Sequence, residues 1–214
     1  MNAALLEKFE DVPRIVVPEF PELTFDVGPH LYRLCGEVIP SVTQIMQPLS
    51  QKKYGGIREE TLRKAAEKGE AVHEGCENWL KYGIEDVPLE YMGYFRAFKE
   101  WWSIRSPTLI GSEVRIYHKL YRYAGTVDLL VYIDGRLTLV DIKTTWNLEE
   151  KLCRTQLEAY AQALASHGIT VEGKRILHLK RDGKWRDPQF PLKDTERLKV
   201  FQALKVVYDD LQVS

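Results

Sequence analysis

The sequence predicts an α/β fold in which a mixed central β-sheet is flanked by helices. Two observations predict it: a hairpin near the middle of the chain is apolar on both faces, and segments with helical periodicity precede and follow it. One face of the hairpin is expected to carry Val127, Leu129, Val131, Val140 and Ile142, and the other Leu130, Tyr132, Leu137 and Leu139. A sheet that is apolar on both faces must be covered on both, which these helices can do.

The hairpin itself is predicted by Asp134-Gly135, which stands between two apolar, β-branched runs. A type I′ turn needs positive φ at both central positions, and Asp-Gly is typical of it. The register that this turn sets opposes Asp128 to Asp141 across the ladder, and two opposed carboxylates repel unless a cation lies between them. Lys143 points to the same face as Asp141, two residues away.

The other elements follow in chain order. Three prolines make residues 1–22 an extended arm, since proline interrupts helices and central strands. Alternation predicts a hairpin of two strands over 23–27 and 31–39, and Ser41 is a suitable N-cap for a helix. Periodicity predicts the elements that remain, with helices over 57–82, 91–104, 155–167 and 195–211 and strands over 108–117 and 175–180.

Length and composition indicate one soluble domain over residues 1–214, because no Gly/Ser/Pro-rich or charge-run linker divides the chain. The net charge is −1, so any nucleic-acid site must be a local basic groove. Three widely spaced cysteines without a CxxC pair indicate a reducing, cytoplasmic setting without a zinc or iron–sulfur framework. No apolar run approaches the length of about 18 residues that a membrane span needs.

The opposed aspartates also predict a metal site. Asp128 and Asp141 would supply oxygen ligands to a hard divalent cation such as Mg²⁺, together with oxygens from water and a substrate phosphate. Lys143 would orient or deprotonate an attacking water, or stabilise charge on the phosphate. Two opposed aspartates do not help a chain to fold, whereas they supply the oxygen ligands that a divalent metal needs.

An Asp-x-Lys run after a Gly-Thr-x-Asp strand, with a glutamate upstream, is the pattern of the PD-(D/E)xK nucleases, which the sequence resembles. It is most similar to the branch that contains RecB-type nuclease domains, phage recombination exonucleases and the mitochondrial genome-maintenance exonuclease. The resemblance covers about residues 30–180, and the order and spacing of its motifs are specific. These motifs are Pro40-Ser41-Val42-Thr43, Gly69-x-x-x-His73, Glu113, Gly125-Thr126-Val127-Asp128, Asp141-Ile142-Lys143-Thr144-Thr145 and Gln156-x-x-x-Tyr160.

The resemblance implies a restriction-endonuclease-like core and a Mg²⁺-dependent DNA exonuclease of phage or bacterial recombination and repair, with Mn²⁺ able to replace Mg²⁺. The partners that it implies are DNA and a recombination protein, with no membrane and no iron–sulfur cluster. The site residues that it implies are the metal-binding and catalytic acids Asp128, Asp141 and Glu113, the metal ligand His73, the catalytic lysine Lys143, and the substrate contacts Gln156 and Tyr160.

Two other functions stay open, a structure-specific or sequence-specific endonuclease of the same fold and an inactive relative that only binds nucleic acid or a protein. Retention of Asp128, Asp141 and Lys143 together argues against the inactive form. Glu77 is either a further ligand or a solvated glutamate, and Trp146 is a candidate for stacking on a base. Basic residues near the motifs line either a phosphate track or a solvated face: Lys52, Lys53, Arg58, Arg63, Lys64, Lys151 and Arg154.

Overall fold

A five-stranded mixed sheet lies at the centre of the computed structural model, which describes residues 19–212. Its strands stand in the order β4-β5-β6-β7-β8, antiparallel except where β6 pairs with β7 in parallel. The helix α5 makes the crossover between those two strands. The strands are β4 (Thr108–Tyr117), β5 (Ala124–Ile133), β6 (Arg136–Lys143), β7 (Gly173–Leu179) and β8 (Trp185–Arg186), and the helix is α5 (Glu150–Ser166).

The predicted hairpin is the pair β5–β6, with the predicted register. Leu129 pairs with Val140, and Ile133 with Arg136. The turn residues Asp134 and Gly135 have φ of 53° and 72°, the left-handed values that a type I′ turn requires at both positions.

A small antiparallel sheet precedes the central one and consists of β1 (Leu23–Asp26), β2 (Leu31–Leu34) and β3 (Glu37–Ile39). The prediction of one strand over 31–39 was wrong, because Cys35 and Gly36 adopt positive φ and form a turn within it. Most of the arm predicted over 1–22 lies outside the described residues.

Helices pack on both faces of the central sheet. Ser41 caps α1 as predicted: Gln44 N donates to Ser41 Oγ at 3.1 Å, and Ser41 N donates to Gln44 Oε1 at 2.8 Å. The crossover helix begins at Glu150 instead of residue 155, because Leu152 and Cys153 extend its apolar face into the core. The other helices are α1 (Val42–Ile45), α2 (Gln47–Tyr54), α3 (Glu59–Tyr82), α4 (Met92–Arg105) and α6 (Thr195–Gln212).

Three apolar clusters form the core. A small one packs the small sheet against Tyr117 and Ala124, and two large ones confirm the predicted α/β arrangement with helices on both faces of the central sheet. One large cluster packs the sheet against α3 and α4, and the other against α1, α5 and α6. Val127 lies in the second large cluster, whereas Leu129, predicted for the same face, lies in the first. The strand's alternation is interrupted between them, at Asp128. None of the helices within residues 19–212 is long and apolar enough to cross a membrane.

Candidate functional site

Side chains from three elements meet where the β5–β6 hairpin opens. His73 comes from α3, Glu113 from β4 and Asp128 from β5. His73 Nδ1 lies 3.6 Å from Asp128 Oδ1 and 3.9 Å from Glu113 Oε1, and one potential ligand atom of each residue lies within 4.8 Å of the others. Two carboxylates and an imidazole thus converge on one point, an arrangement suited to a metal ion.

The imidazole of His73 is oriented by the backbone of the neighbouring strand. His73 Nε2 lies 3.1 Å from the carbonyl oxygen of Ile142. Because a carbonyl only accepts, Nε2 carries the proton and donates. The lone pair of neutral His73 is then on Nδ1, the nitrogen that faces Glu113 and Asp128, and such a backbone hydrogen bond is the usual way in which a metal-ligating histidine is oriented.

Asp128 is held by the same neighbouring residue. Its Oδ2 accepts a hydrogen bond from Ile142 N at 2.6 Å, while its Oδ1 faces His73. The β5–β6 ladder ends at the pair of Leu129 and Val140, so Asp128 and Asp141 stand one step beyond the last paired residues. One oxygen of the Asp128 carboxylate fixes its orientation, which leaves the other for a ligand.

Asp141 lies beside this group and outside it. Its side chain is 2% exposed, and its Oδ2 forms an ion pair with Lys143 Nζ at 2.6 Å. Burial raises the pKa of Asp141 to about 6, although the positive charge of Lys143 opposes the shift. The carboxylate is therefore buried and paired with the ammonium group of Lys143.

Lys143 is held between Asp141 and the crossover helix. Its Nζ donates to Gln156 Oε1 at 3.0 Å, and Gln156 Nε2 donates to the Tyr160 hydroxyl at 2.9 Å. Burial alone would lower the pKa of Lys143, but the charges of Asp141 and Asp128 outweigh burial and raise it above its usual value. The lysine is thus an oriented cation.

Tyr160 is 4% exposed and packs closely against β5. A Cβ added at Gly125 would lie 2.5 Å from Tyr160 Cε1, so only glycine leaves room for the ring. Gln156 and Tyr160 form the one-turn pair expected from their spacing. Their observed role is to support Lys143, and contact with a substrate stays a prediction.

Glu113 combines an unusual backbone with a perturbed carboxyl. Its φ is 50°, a left-handed value that non-glycine residues in strands rarely adopt. Burial, and after it the charges of Asp128 and Glu77, raises the pKa of Glu113 to about 8. The shift indicates that burial and the neighbouring carboxylates together make ionisation of Glu113 costly without a cation.

The cleft beside Glu113 has a volume of about 590 Å³ and also contains Glu77, Arg115 and Thr126. Glu77 is paired with Lys81, four residues later, and is not in the three-residue group. Tyr32, which the sequence did not single out, donates to or accepts from Thr126 Oγ1 at 2.7 Å and so places the small sheet beside the site. Tyr32 lacks any local sequence signal, because the contact joins residues 94 positions apart.

Most residues of the predicted basic track are neutralised by acidic partners within the described part of the chain. Four of its members form ion pairs with acids, and their positive charge is therefore not free for phosphates: Lys53 with Glu149, Arg63 with Glu67, Lys64 with Glu60 and Arg154 with Asp194. Lys68 and Lys180, which the prediction omitted, donate to the backbone carbonyls of Thr144 and Trp146 and form no ion pair among residues 19–212. Lys68 is on the same helix as His73, five residues before it, and this proximity in the sequence could have marked Lys68 as a residue near the site.

The residues present fit a hard divalent cation. Glu113, Asp128 and Asp141 offer carboxylate oxygens, and His73 offers an imidazole nitrogen that also suits Mn²⁺. Burial, and after it the charges of Asp128 and Glu77, raises the pKa of Glu113, so ionised carboxylates are costly in this group. A cation bound among the carboxylates would offset that cost.

Comparison with known proteins gives a family match. A family model described as the PD-(D/E)XK nuclease superfamily matches residues 42–210, a range that contains every residue of the candidate site. No curated protein matches the chain. Among solved structures, one described as "Crystal structure of SSO0001" is 12% identical over 76% of this chain and 84% of its own, with a TM-score of 0.35.

Proposed function

The chain belongs to the PD-(D/E)XK nuclease superfamily, and on this basis we propose that it is a deoxyribonuclease that hydrolyses phosphodiester bonds with Mg²⁺. The observation that carries the proposal is the convergence of His73 Nδ1, Glu113 and Asp128 beside the paired Asp141 and Lys143. A binding module gains nothing from acids that repel one another in this way.

His73, Glu113, Asp128 and Asp141 are the residues that would hold the cation. When bound, a divalent cation in such a site polarises the phosphodiester and makes a water more acidic. The protein's own part is positional. Ile142 fixes both the His73 ring and the Asp128 carboxylate, so the ligands are aligned before a cation or substrate arrives.

Lys143 supplies a fixed positive charge in this proposal. Asp141 and Gln156 hold its ammonium group, whose proton is retained because the neighbouring carboxylates raise its pKa. A cation fixed beside a reacting phosphate stabilises the negative charge that develops in the transition state. We therefore favour charge stabilisation over deprotonation of water as the role of Lys143.

More narrowly, we propose an exonuclease of the RecB-type branch with a role in recombination or repair. The support is that His73 stands on a helix next to the carboxylates, where the resemblance expects the additional ligand, and that Gln156 and Tyr160 stand beside Lys143. An endonuclease of the same fold is the alternative that the experiment below separates.

The test is cleavage of linear duplex, linear single-stranded and closed circular DNA with Mg²⁺, Mn²⁺ or EDTA. We expect degradation of linear DNA that needs the cation. Removal of a positioned charge in a catalytic site typically costs about 10²–10³-fold in rate, so Asp128→Asn, Asp141→Asn and Lys143→Gln should each lose at least that much.

Lys184→Gln is the matched control, because Lys184 is an exposed lysine that pairs only with Asp182 among the described residues. It should cleave as the wild type does. Equal cleavage by wild type and Asp128→Asn would overturn the site assignment. Cleavage of closed circles would replace the exonuclease with the endonuclease.

A further inference from the structure

The loop that follows Lys143 is fastened by three basic side chains. Lys68 Nζ donates to the carbonyl of Thr144 at 2.9 Å, His178 Nε2 to that of Thr145 at 2.7 Å, and Lys180 Nζ to that of Trp146. The three donors come from α3 and from the end of β7, so two separate elements hold three successive carbonyls. The backbone of this loop is therefore fastened to a helix on one side and to the sheet on the other.

The side chain that this fixed loop presents is an exposed tryptophan. Trp146 is 88% exposed, three residues beyond Lys143. A tryptophan with a structural role is normally buried, since it contributes a large apolar area. Because hydrogen bonds already hold the backbone under the exposed indole ring, less conformational entropy is lost when a ligand stacks on that ring.

The two lysines that fasten the loop form no ion pair with the acids of the described residues. Lys68 and Lys180 each use one N–H on a carbonyl, and neither has a carboxylate within 4.0 Å among residues 19–212. Burial lowers the pKa of both. The charges of Arg186 and Lys68 lower the pKa of Lys180 further, while that of Asp182 opposes the shift. Ammonium groups that repel each other and retain free N–H donors can bind a polyanion such as a nucleic-acid backbone.

A cleft continues from this cluster. Lys68 lies 5.2 Å from the centre of the Tyr94 ring, and a cleft of about 610 Å³ extends between them and Arg181. Glu67 and Glu90 also line it, but Glu67 is paired with Arg63. Aromatic rings interleaved with cations are the features that bind single-stranded nucleic acid.

We propose that Trp146 is a stacking platform for an unpaired base of single-stranded DNA, with Lys68 and Lys180 contacting the phosphates beside that base. The proposal rests on the nuclease function and extends it, because it assigns single-stranded DNA to the surface next to Lys143. An unpaired base is required because a base inside a duplex has both faces stacked on its neighbours and none free for an indole.

The test is equilibrium binding of a labelled single-stranded oligonucleotide by fluorescence anisotropy in EDTA, where no cleavage occurs. Stacking on an aromatic side chain is worth about 5- to 150-fold in affinity by alanine substitution, so Trp146→Ala should raise the Kd about tenfold or more. Trp146→Phe keeps a ring and should restore most of the affinity. Leu120→Ala removes another exposed apolar side chain, 76% exposed, and should bind as the wild type does.

An oligomer of abasic nucleotides separates stacking from charge. The wild type should bind it more weakly than the normal oligonucleotide, while Trp146→Ala should bind both alike. Lys180→Gln should reduce the slope of log affinity against log salt by about 0.7, the value for one phosphate contact with a single strand.

The outcomes separate this proposal from the nuclease proposal. An unchanged Kd for Trp146→Ala would overturn the platform, whatever the protein cleaves. An equal loss of affinity for blunt duplex would overturn its restriction to single strands. Failure of every Mg²⁺-dependent cleavage assay, with ring-dependent binding intact, would overturn the nuclease and leave the platform standing.

Discussion

Glu113 carries both the strained backbone and the most perturbed acid of the candidate site. A left-handed φ in a residue with a side chain costs about 1–3 kcal/mol, and such strain persists only where surrounding structure enforces it. Burial and the charges of Asp128 and Glu77 raise its pKa to about 8. Glu113 thus lowers the stability of the fold through its backbone conformation and through its buried carboxyl. In return, its carboxylate is placed in the candidate site.

The raised pKa of Glu113 predicts a pH dependence of stability in EDTA. The native state holds the Glu113 proton up to about pH 8, whereas the unfolded chain loses it near the ordinary value of 4.5. The native state thus binds more protons between these values, so stability falls as pH rises from about 5 to 8. Thermal unfolding across that range should show a steeper fall in Tm for wild type than for Glu113→Gln, and parallel curves would contradict the expectation.

Residue chemistry was partly predictable from the sequence. Asp128, Asp141 and Lys143 follow from one hairpin turn, because the register of a two-residue loop is fixed by that loop. The left-handed φ of Glu113 was not predictable, since glutamate has no local preference for that region and tertiary contacts impose it. The contact of Asp128 with Ile142 N likewise appears only where the ladder opens.

At the scale of elements, the packing of α5 on β5 controls the orientation of Lys143. Gly125→Ala would place a Cβ 2.5 Å from Tyr160 Cε1, which forces the ring to move. Overpacking of this kind costs about 1–3 kcal/mol. Because Tyr160 orients Gln156, and Gln156 holds Lys143, we also expect at least a tenfold loss of cleavage rate.

Gly69→Ala is the matched control for this change. Its Cβ would meet only Thr144 Oγ1, at an ordinary 3.9 Å, and alanine is favoured over glycine within a helix by about 0.5–1 kcal/mol. It should therefore raise the free energy of unfolding in a urea titration. Wild-type stability and rate in Gly125→Ala would show that Tyr160 does not orient the lysine.

Elements with a strong period were predictable, and contacts between distant elements were not. The strand predicted over 108–117 has those bounds, and the long helix predicted over 57–82 begins two residues later. Lys68, His178 and Lys180 fasten their loop over separations of 76, 33 and 34 residues, for which no local pattern exists. The short strand β8 was missed because two residues carry no measurable alternation, and β2 and β3 were merged into one predicted strand because the turn at Cys35 and Gly36 was not recognised.

At the scale of the whole molecule, the cation should act as a stabilising ligand even without DNA. A ligand at 100 times its Kd stabilises a fold by about 2.7 kcal/mol, and each kcal/mol shifts the Tm of a chain of this length by about 2–4 °C. We therefore expect saturating Mg²⁺ or Mn²⁺ to raise the Tm by about 5–10 °C relative to EDTA.

The control variants locate that effect. Asp128→Asn should abolish the rise, and Asp182→Asn, an exposed acid in the β7–β8 turn, should keep it. A rise of the same size in Asp128→Asn would place the cation elsewhere.

The parallel pairing of β6 with β7 also has a consequence for the order of folding. The strands that carry the three carboxylates are joined by short turns, whereas β7 joins β6 only after residues 144–172 have folded back across the sheet. Contacts that close long loops form late, because their entropy must be lost first. In pulse-labelled hydrogen exchange, amides of β4–β6 should gain protection before those of β7. The acids would then be assembled, and repelling one another, before the helix that positions their lysine arrives.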